Sequence, residues 1–203
     1  DVLGTRRGLV ILVNLADLSF KEKHTQQAFD DMFNLEGYSE DNHIGSVSDY
    51  FTEQSYGKLH LTFDVMGPVT LSQNYSYYGT NDSYGNDLRP GEMVREACDM
   101  IDDLVDFSDY DWDVDGEAEQ VFIIYAGYGE NNTGVSKNTI WPHEWTLEEA
   151  LGEKLSYDGV TLDTYACSPE LTGSYGSDPN GIGTPIHEFA HCLGYPDLYD
   201  AYY

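Results

Sequence analysis

Basic residues are scarce: nine Lys and Arg stand against 37 Asp and Glu, for a formal net charge of −28. Without a basic patch nothing can neutralise phosphates, which argues against nucleic acid or an anionic membrane as partner. The acidic surplus favours solubility and cation binding, although most of these carboxylates need do no more than solvate the surface. Cysteine is nearly as sparse, with Cys98, Cys167 and Cys192 alone. An odd, small set is no disulfide framework, allows at most one bridge and has no zinc-knuckle spacing. No apolar run is long enough to span a membrane. No Gly-x-Ser-x-Gly elbow is present, so serine-hydrolase chemistry has no support, and Gly127-Tyr128-Gly129 lacks the third glycine of a dinucleotide fingerprint. There is no internal repeat and no interdomain linker. A chain of 203 residues can bury a full core, as one domain or most of a larger one. It begins at Asp1 rather than methionine, as removal of a signal peptide or propeptide, or trimming, would explain.

What the sequence does contain is concentrated near its end, in Thr184-Pro185-Ile186-His187-Glu188-Phe189-Ala190-His191-Cys192-Leu193-Gly194-Tyr195-Pro196-Asp197. This is HExxH continued as HExxHxxGxxD. Residues four apart on a helix lie one above the other, so His187 and His191 can converge on one metal ion while Glu188 reaches a water bound to it. Thr184 reads as the N-cap and Pro185 as the first helical residue, with Ile186, Phe189, Ala190 and Leu193 as the buried stripe. Gly194 can take the left-handed conformation that ends a helix, and Pro196 prevents its resumption. The turn could return Asp197 to the metal as a third ligand, leaving one position for water, with Asp200 a nearby competitor. Cys192 points about 100° away from His191 round the helix, and packing is its default role.

HEFAHCLGYPDLYD resembles the active-site segment of the immune inhibitor A-type secreted bacterial metalloproteases, and HExxHxxG is the wider pattern of metzincin-like zinc peptidases. The resemblance extends over nearly the whole chain, through Gly45–Phe51, Gln54–Leu59, Asp109-Tyr110-Asp111, Ile140–His143 and Gly181-Ile182-Gly183. Two departures stand out. Metzincins usually place a third histidine where this chain has Asp197, and the methionine-containing turn and lower subdomain expected after the helix do not precede Tyr203.

The rest of the chain supplies a scaffold and a second chemical motif. Leu9–Val13 and Gln120–Ala126 are continuous apolar runs, the pattern of strands covered on both faces. Lys58 to Val65 alternates as a half-exposed strand, with His60 on its solvent face. Helical spacing predicts helices over Thr25–Phe33, from a capping box at Ser46 and Asp49 to near Gly57, and through Met93, Ala97, Met100, Ile101 and Leu104. Tyr75 to Tyr84 reads as a long surface loop, and Asp158-Gly159 as a hairpin turn. In Asp111-Trp112-Asp113-Val114-Asp115-Gly116-Glu117-Ala118-Glu119, acids at positions 1, 3 and 5 with glycine at 6 suit a calcium loop, completed by the Glu117 carbonyl and the Glu119 carboxylate. It is not an EF-hand, since Phe122 stands at position 12; the bland alternative is an acidic turn. His143-Glu144 has Leu147 where a second zinc helix would need histidine, and it either lines a substrate cleft or belongs to a packed aromatic turn.

These readings predict an α/β (α+β) fold, a zincin/metzincin-like catalytic domain over residues 1–203. It would have a mixed twisted sheet, flanking helices and an active-site helix near the C-terminus. The expected function is zinc-dependent hydrolysis of peptide bonds in protein or peptide substrates, with Glu188 catalytic, zinc on His187, His191 and Asp197, and structural calcium on Asp111, Asp113, Asp115, Glu117 and Glu119. A monomer, secreted or at the cell surface, is expected, with no nucleic acid and no membrane span. The alternative is a calcium-stabilised extracellular protein-binding module with an inactive or zymogen protease-like fold. A purely structural zinc fares worse, because such sites normally use four cysteine-rich protein ligands.

Overall fold

A computed structural model describes residues 2–132 and 134–196. The chain opens with β1 (Gly4–Asn14), then α1 (Gln26–Asn34), α2 (Val47–Gln54), β2 (Leu59–Thr70), α3 (Tyr75–Gly79) and α4 (Pro90–Ile101). It continues through β3 (Glu117–Ala118), β4 (Val121–Tyr128), β5 (His143–Thr146), α5 (Leu147–Leu151), β6 (Leu155–Tyr157), β7 (Val160–Leu162) and β8 (Thr164–Leu171) to α6 (Gly183–His191). The main sheet has the order β2-β1-β4-β8-β5. Its first four strands are parallel and β5 runs antiparallel to β8 at the edge. The architecture is therefore mixed α/β, a sheet with flanking helices, as its residue patterns predict.

Strand burial explains the two-sided core. Along β1, Leu9, Ile11 and Val13 enter one core while Val10 and Leu12 enter the other; β4 divides Val121 and Ile123 from Phe122 and Ile124 in the same way. Successive strand side chains point to opposite faces, so a continuous apolar run is what a strand covered on both sides requires. The helices α1, α2 and α6 cover one face, and α4 covers the other with the hairpin. Helix starts follow local chemistry. Thr25 accepts from the Ala28 N–H, and Ser46 and Asp49 form the reciprocal capping box. In the hairpin turn Asp158 (φ 48°) and Gly159 (φ 84°) are both left-handed, as a tight two-residue turn demands.

Three sequence expectations need correction. The tyrosine-rich stretch is not all surface loop: α3 buries Tyr78 at 1% exposure, and the Tyr77 and Tyr78 hydroxyls donate to Glu92 and Glu96 of α4. The polar partner on α4 lets the Tyr78 ring go inside, while Tyr77 stays half-exposed. In α4 itself Met93, Ala97 and Ile101 are buried, but Met100 and Leu104 are exposed: Met100 lies at the edge of the buried stripe that Val94, Ala97, Cys98 and Ile101 define, and Leu104 lies in the 3₁₀ turn that starts at Asp102. Thr184 is not the cap of α6. That helix starts two residues earlier, Ile182 occupies the cap without a side-chain bond, and Thr184 and Pro185 lie within the first turn, where proline's missing N–H costs nothing.

A buried hydrogen-bonded clamp closes the ends of the strands. Glu170 of β8 accepts from the Lys21 N–H (2.7 Å) and the Gly127 N–H (3.0 Å), and its Oε1 lies 2.6 Å from Nδ1 of buried His24. A carboxylate sealed from water needs such partners. The result ties the loop after β1 to the ends of β4 and β8, next to the segment leading into α6.

Candidate metal centre

The site begins with how α6 is seated. Phe189 is 1% exposed, with its ring 5.0 Å from that of Phe63 and 6.0 Å from that of Phe122. Ile186, Ala190 and Leu193 pack round it as the apolar stripe requires. Gly8 of β1 lies directly beneath: a Cβ there would stand 2.7 Å from Phe63 and 3.1 Å from Phe189. The absence of a side chain at position 8 lets the helix sit down on the sheet.

With its apolar stripe inward, α6 turns His187, Glu188 and His191 to a half-buried surface, with one donor atom of each within 4.8 Å of the others. The imidazoles stand edge to face at 4.7 Å, with Nε2 atoms 3.2 Å apart. Two nitrogens bound to one tetrahedral zinc at its usual bond lengths would be about 3.3 Å apart. The end of the helix determines which nitrogen is available. Gly194 takes φ 82°, the Gly194 N–H returns to the His191 carbonyl, and the Tyr195 carbonyl comes to 2.8 Å from His191 Nδ1. A carbonyl can only accept, so Nδ1 carries the proton and Nε2 presents its lone pair. The residues present thus fit a zinc ion in donor type, spacing and tautomer.

Asp197 and Asp200 lie outside the described residues. Among the residues expected to hold calcium, Asp111, Asp113 and Asp115 are brought within 4.8 Å of one another. The Glu117 carboxylate is turned to Lys154 at 2.7 Å, and that of Glu119 accepts from the Trp112 N–H at 2.7 Å. Cys98, Cys167 and Cys192 are free thiols, and Cys192 packs against the core under α6.

Glu144 belongs to this site and has no motif to reveal it. On β5 it lies opposite Ala166, on the α6 face of the sheet, and its Oε2 is 3.8 Å from His191 Nε2. His143, one residue earlier, faces the other way: its Nδ1 donates to the Trp141 carbonyl (2.6 Å) and its Nε2 accepts from the Tyr165 hydroxyl (2.7 Å). The dipeptide thus divides between cleft and packed turn. On the other flank a pocket of about 600 Å³, bounded by Tyr50, Phe51, Ile186, Leu193 and Tyr195, opens beside both histidines.

Behind β5, Asp87 accepts from the Trp141 N–H at 2.9 Å. Burial raises its pKa from 3.8 to about 6, against the opposing pull of that N–H. The charged form is disfavoured by folding, so Asp87 costs stability progressively as pH rises from 3.8 to about 6. Asp87→Asn, which keeps an acceptor for Trp141, is expected to flatten that stretch of the stability profile and to add about 1 kcal/mol at pH 7 after allowance for partial exposure. Urea unfolding at several pH values measures this; a profile unchanged from the parent's would refute it.

A helix carrying two convergent imidazoles and a carboxylate, docked under a mixed sheet beside its antiparallel edge strand, is the arrangement of a metallopeptidase catalytic domain. Residues 9–203 match the family described as immune inhibitor A peptidase M6, catalytic domain, and the chain belongs to that family. It is 27% identical over 237 residues to "Immune inhibitor A" of Bacillus thuringiensis subsp. alesti, covering 96% of this chain and 33% of that protein. It is 26% identical over 238 residues to "Pre-pro-metalloprotease PrtV" of Vibrio cholerae serotype O1 (strain M66-2), covering 98% of this chain and 25% of that protein. The chain spans about a third and a quarter of the lengths of these relatives.

Proposed function

We propose that residues 1–203 form the catalytic domain of a secreted zinc-dependent endopeptidase acting on proteins or peptides. The observation that carries this reading is the pair of Nε2 atoms 3.2 Å apart, with His191 Nδ1–H committed to the Tyr195 carbonyl. His187 and His191 would hold the zinc, with Asp197 as third ligand. When bound, the ion supplies a water of lowered pKa and polarises the scissile carbonyl. The chain's own residues supply the rest. Glu188 takes the attacking water's proton on its carboxylate and passes it to the leaving amine. The apolar stripe beneath holds that carboxylate in place. The edge strand β5, bonded on one side to β8, offers its other side to an extended peptide as an added strand.

Calcium at the Asp111 loop is part of the same proposal, with Asp111, Asp113, Asp115, the Glu117 carbonyl and Glu119 as donors. Three mutually repelling carboxylates within 4.8 Å support it. Its role would be to stabilise the fold by mass action, apart from the chemistry. Millimolar calcium should raise the melting temperature by a few degrees, an effect Asp113→Asn should remove. Equal melting with calcium and with chelator would count against the site. Secretion, with no nucleic-acid partner, accords with the charge of −28, and among the described residues no helix is long and apolar enough to cross a membrane.

The decisive experiment is cleavage of an unfolded protein such as casein by the whole protein, with a zinc chelator and then with zinc restored. Activity lost to the chelator and regained with zinc is expected. A folded, zinc-loaded protein that leaves casein intact would point instead to a binding module.

A further inference from the structure

The antiparallel edge strand carries more than a free backbone edge. A pocket of about 450 Å³ wraps it, bounded by Asp87, Pro90, Trp141, His143, Glu144 and Trp145. Two features set this pocket apart from ordinary surface. Both indoles keep large exposed areas, 50% for Trp141 and 39% for Trp145, although aromatic rings of this size are normally drawn inward. Each also has a carboxylate beside it. The Trp145 indole N–H donates to Glu149, four residues on, which fixes that ring, and the backbone N–H of Trp141 donates to Asp87. Glu144 adds a further one from the cleft side, 3.8 Å from His191 Nε2. Neither lysine nor arginine lines the pocket, and the imidazole of His143 has both nitrogens engaged.

Indole faces attract cations through their quadrupole, and a nearby carboxylate adds a direct ion pair. We propose that this pocket selects substrates with an arginine or lysine side chain close to the scissile bond. Trp141 and Trp145 would form its walls, and Asp87 and Glu144 would provide the charge. The inference rests on the peptidase reading and deepens it. A peptide added to β5 alternates its side chains between the two faces of the sheet, as β5 alternates His143 and Trp145 with Glu144. One set of substrate side chains faces the metal-binding imidazoles, and the other faces the indoles. A cationic residue next to the bond being cut therefore meets Glu144 or the tryptophan walls on either face.

The test compares peptides that differ only in carrying arginine or its uncharged isostere citrulline, placed in turn at each position flanking the cut. With the whole zinc-loaded protein, kcat/KM should favour arginine by on the order of tenfold at one such position. The ratio should fall towards one in Asp87→Asn where the favoured position faces the indoles, or in Glu144→Gln where it faces the imidazoles, and Trp145→Leu should lower it should the first of these fail to fold. Because a ratio is read, a general loss of activity cancels. Equal cleavage of both peptides by the parent, or a ratio untouched by all three variants, overturns the proposal. Calorimetric binding of the same peptides to a Glu188→Gln variant separates the two readings. Preferred binding of the arginine peptide without cleavage by the parent would overturn the peptidase and retain the pocket; equal binding of both would overturn the pocket.

Discussion

Glu188→Gln is expected to lower kcat/KM on peptide substrates by about 10²- to 10⁴-fold, the usual contribution of a positioned general base. The zinc content should not change. The two consequences separate because the residues are adjacent on one helix but do different work. His187 and His191 present their Nε2 atoms at 3.2 Å, whereas Glu188, one step round, would act on the water's proton. Glutamine keeps the shape and the polar oxygen but cannot take that proton at neutral pH. Zinc stoichiometry by metal analysis beside steady-state kinetics measures both quantities. Activity within a few-fold of the parent would remove Glu188 from its assigned role, and loss of zinc would recast it as a support of the metal site.

Phe189→Ala should destabilise the fold by about 3–5 kcal/mol, the range for deleting a fully buried aromatic side chain. Its ring is 1% exposed and meets Phe63 and Phe122 edge-on or tilted, so truncation leaves a void that rigid strands on β2 and β4 cannot fill. A second consequence follows from its place in the sequence. Phe189 lies between the two histidines on the inward side of α6, and the helix it anchors is the only element carrying both. Zinc affinity should therefore fall although no ligand is touched, whereas Phe189→Leu, which keeps most of the volume, should lose far less on both counts. Urea unfolding and competition with a chromophoric chelator give the two numbers. A stability loss below about 1 kcal/mol would mean that α6 is held chiefly by something other than this ring.

Much of this molecule is legible along the chain because its signals are local. The spacing of His187 and His191, the stripe of Ile186, Phe189, Ala190 and Leu193, and the stop at Gly194 follow from the period of a helix and the backbone freedom of one glycine. The capping box at Ser46 and the turn at Asp158-Gly159 are equally short-range. Where the pattern is ambiguous, local reasoning slips. Tyr75–Gly79 looks like loop because tyrosine and glycine punctuate it, yet Glu96, 18 residues on, supplies the partner that lets the Tyr78 ring go inside. β8 has no alternation to betray it, since a strand covered on both faces needs none, and its Glu170 is tolerable only because His24, Lys21 and Gly127 arrive from elsewhere.

The site divides along the same line. By itself the sequence determined the two histidines proposed as metal ligands, the carboxylate beside them and the helix that carries them, because all lie within one or two helical turns. Only the tertiary structure decided that the Tyr195 carbonyl selects the His191 tautomer, that Gly8 makes room for Phe189, and that Glu144 comes to 3.8 Å from His191 Nε2. Glu144 and His191 are far apart in sequence and meet because β5 pairs antiparallel with β8 while α6 docks across the same face. Strand order and helix docking are set by which buried surfaces fit together, and no local periodicity records that.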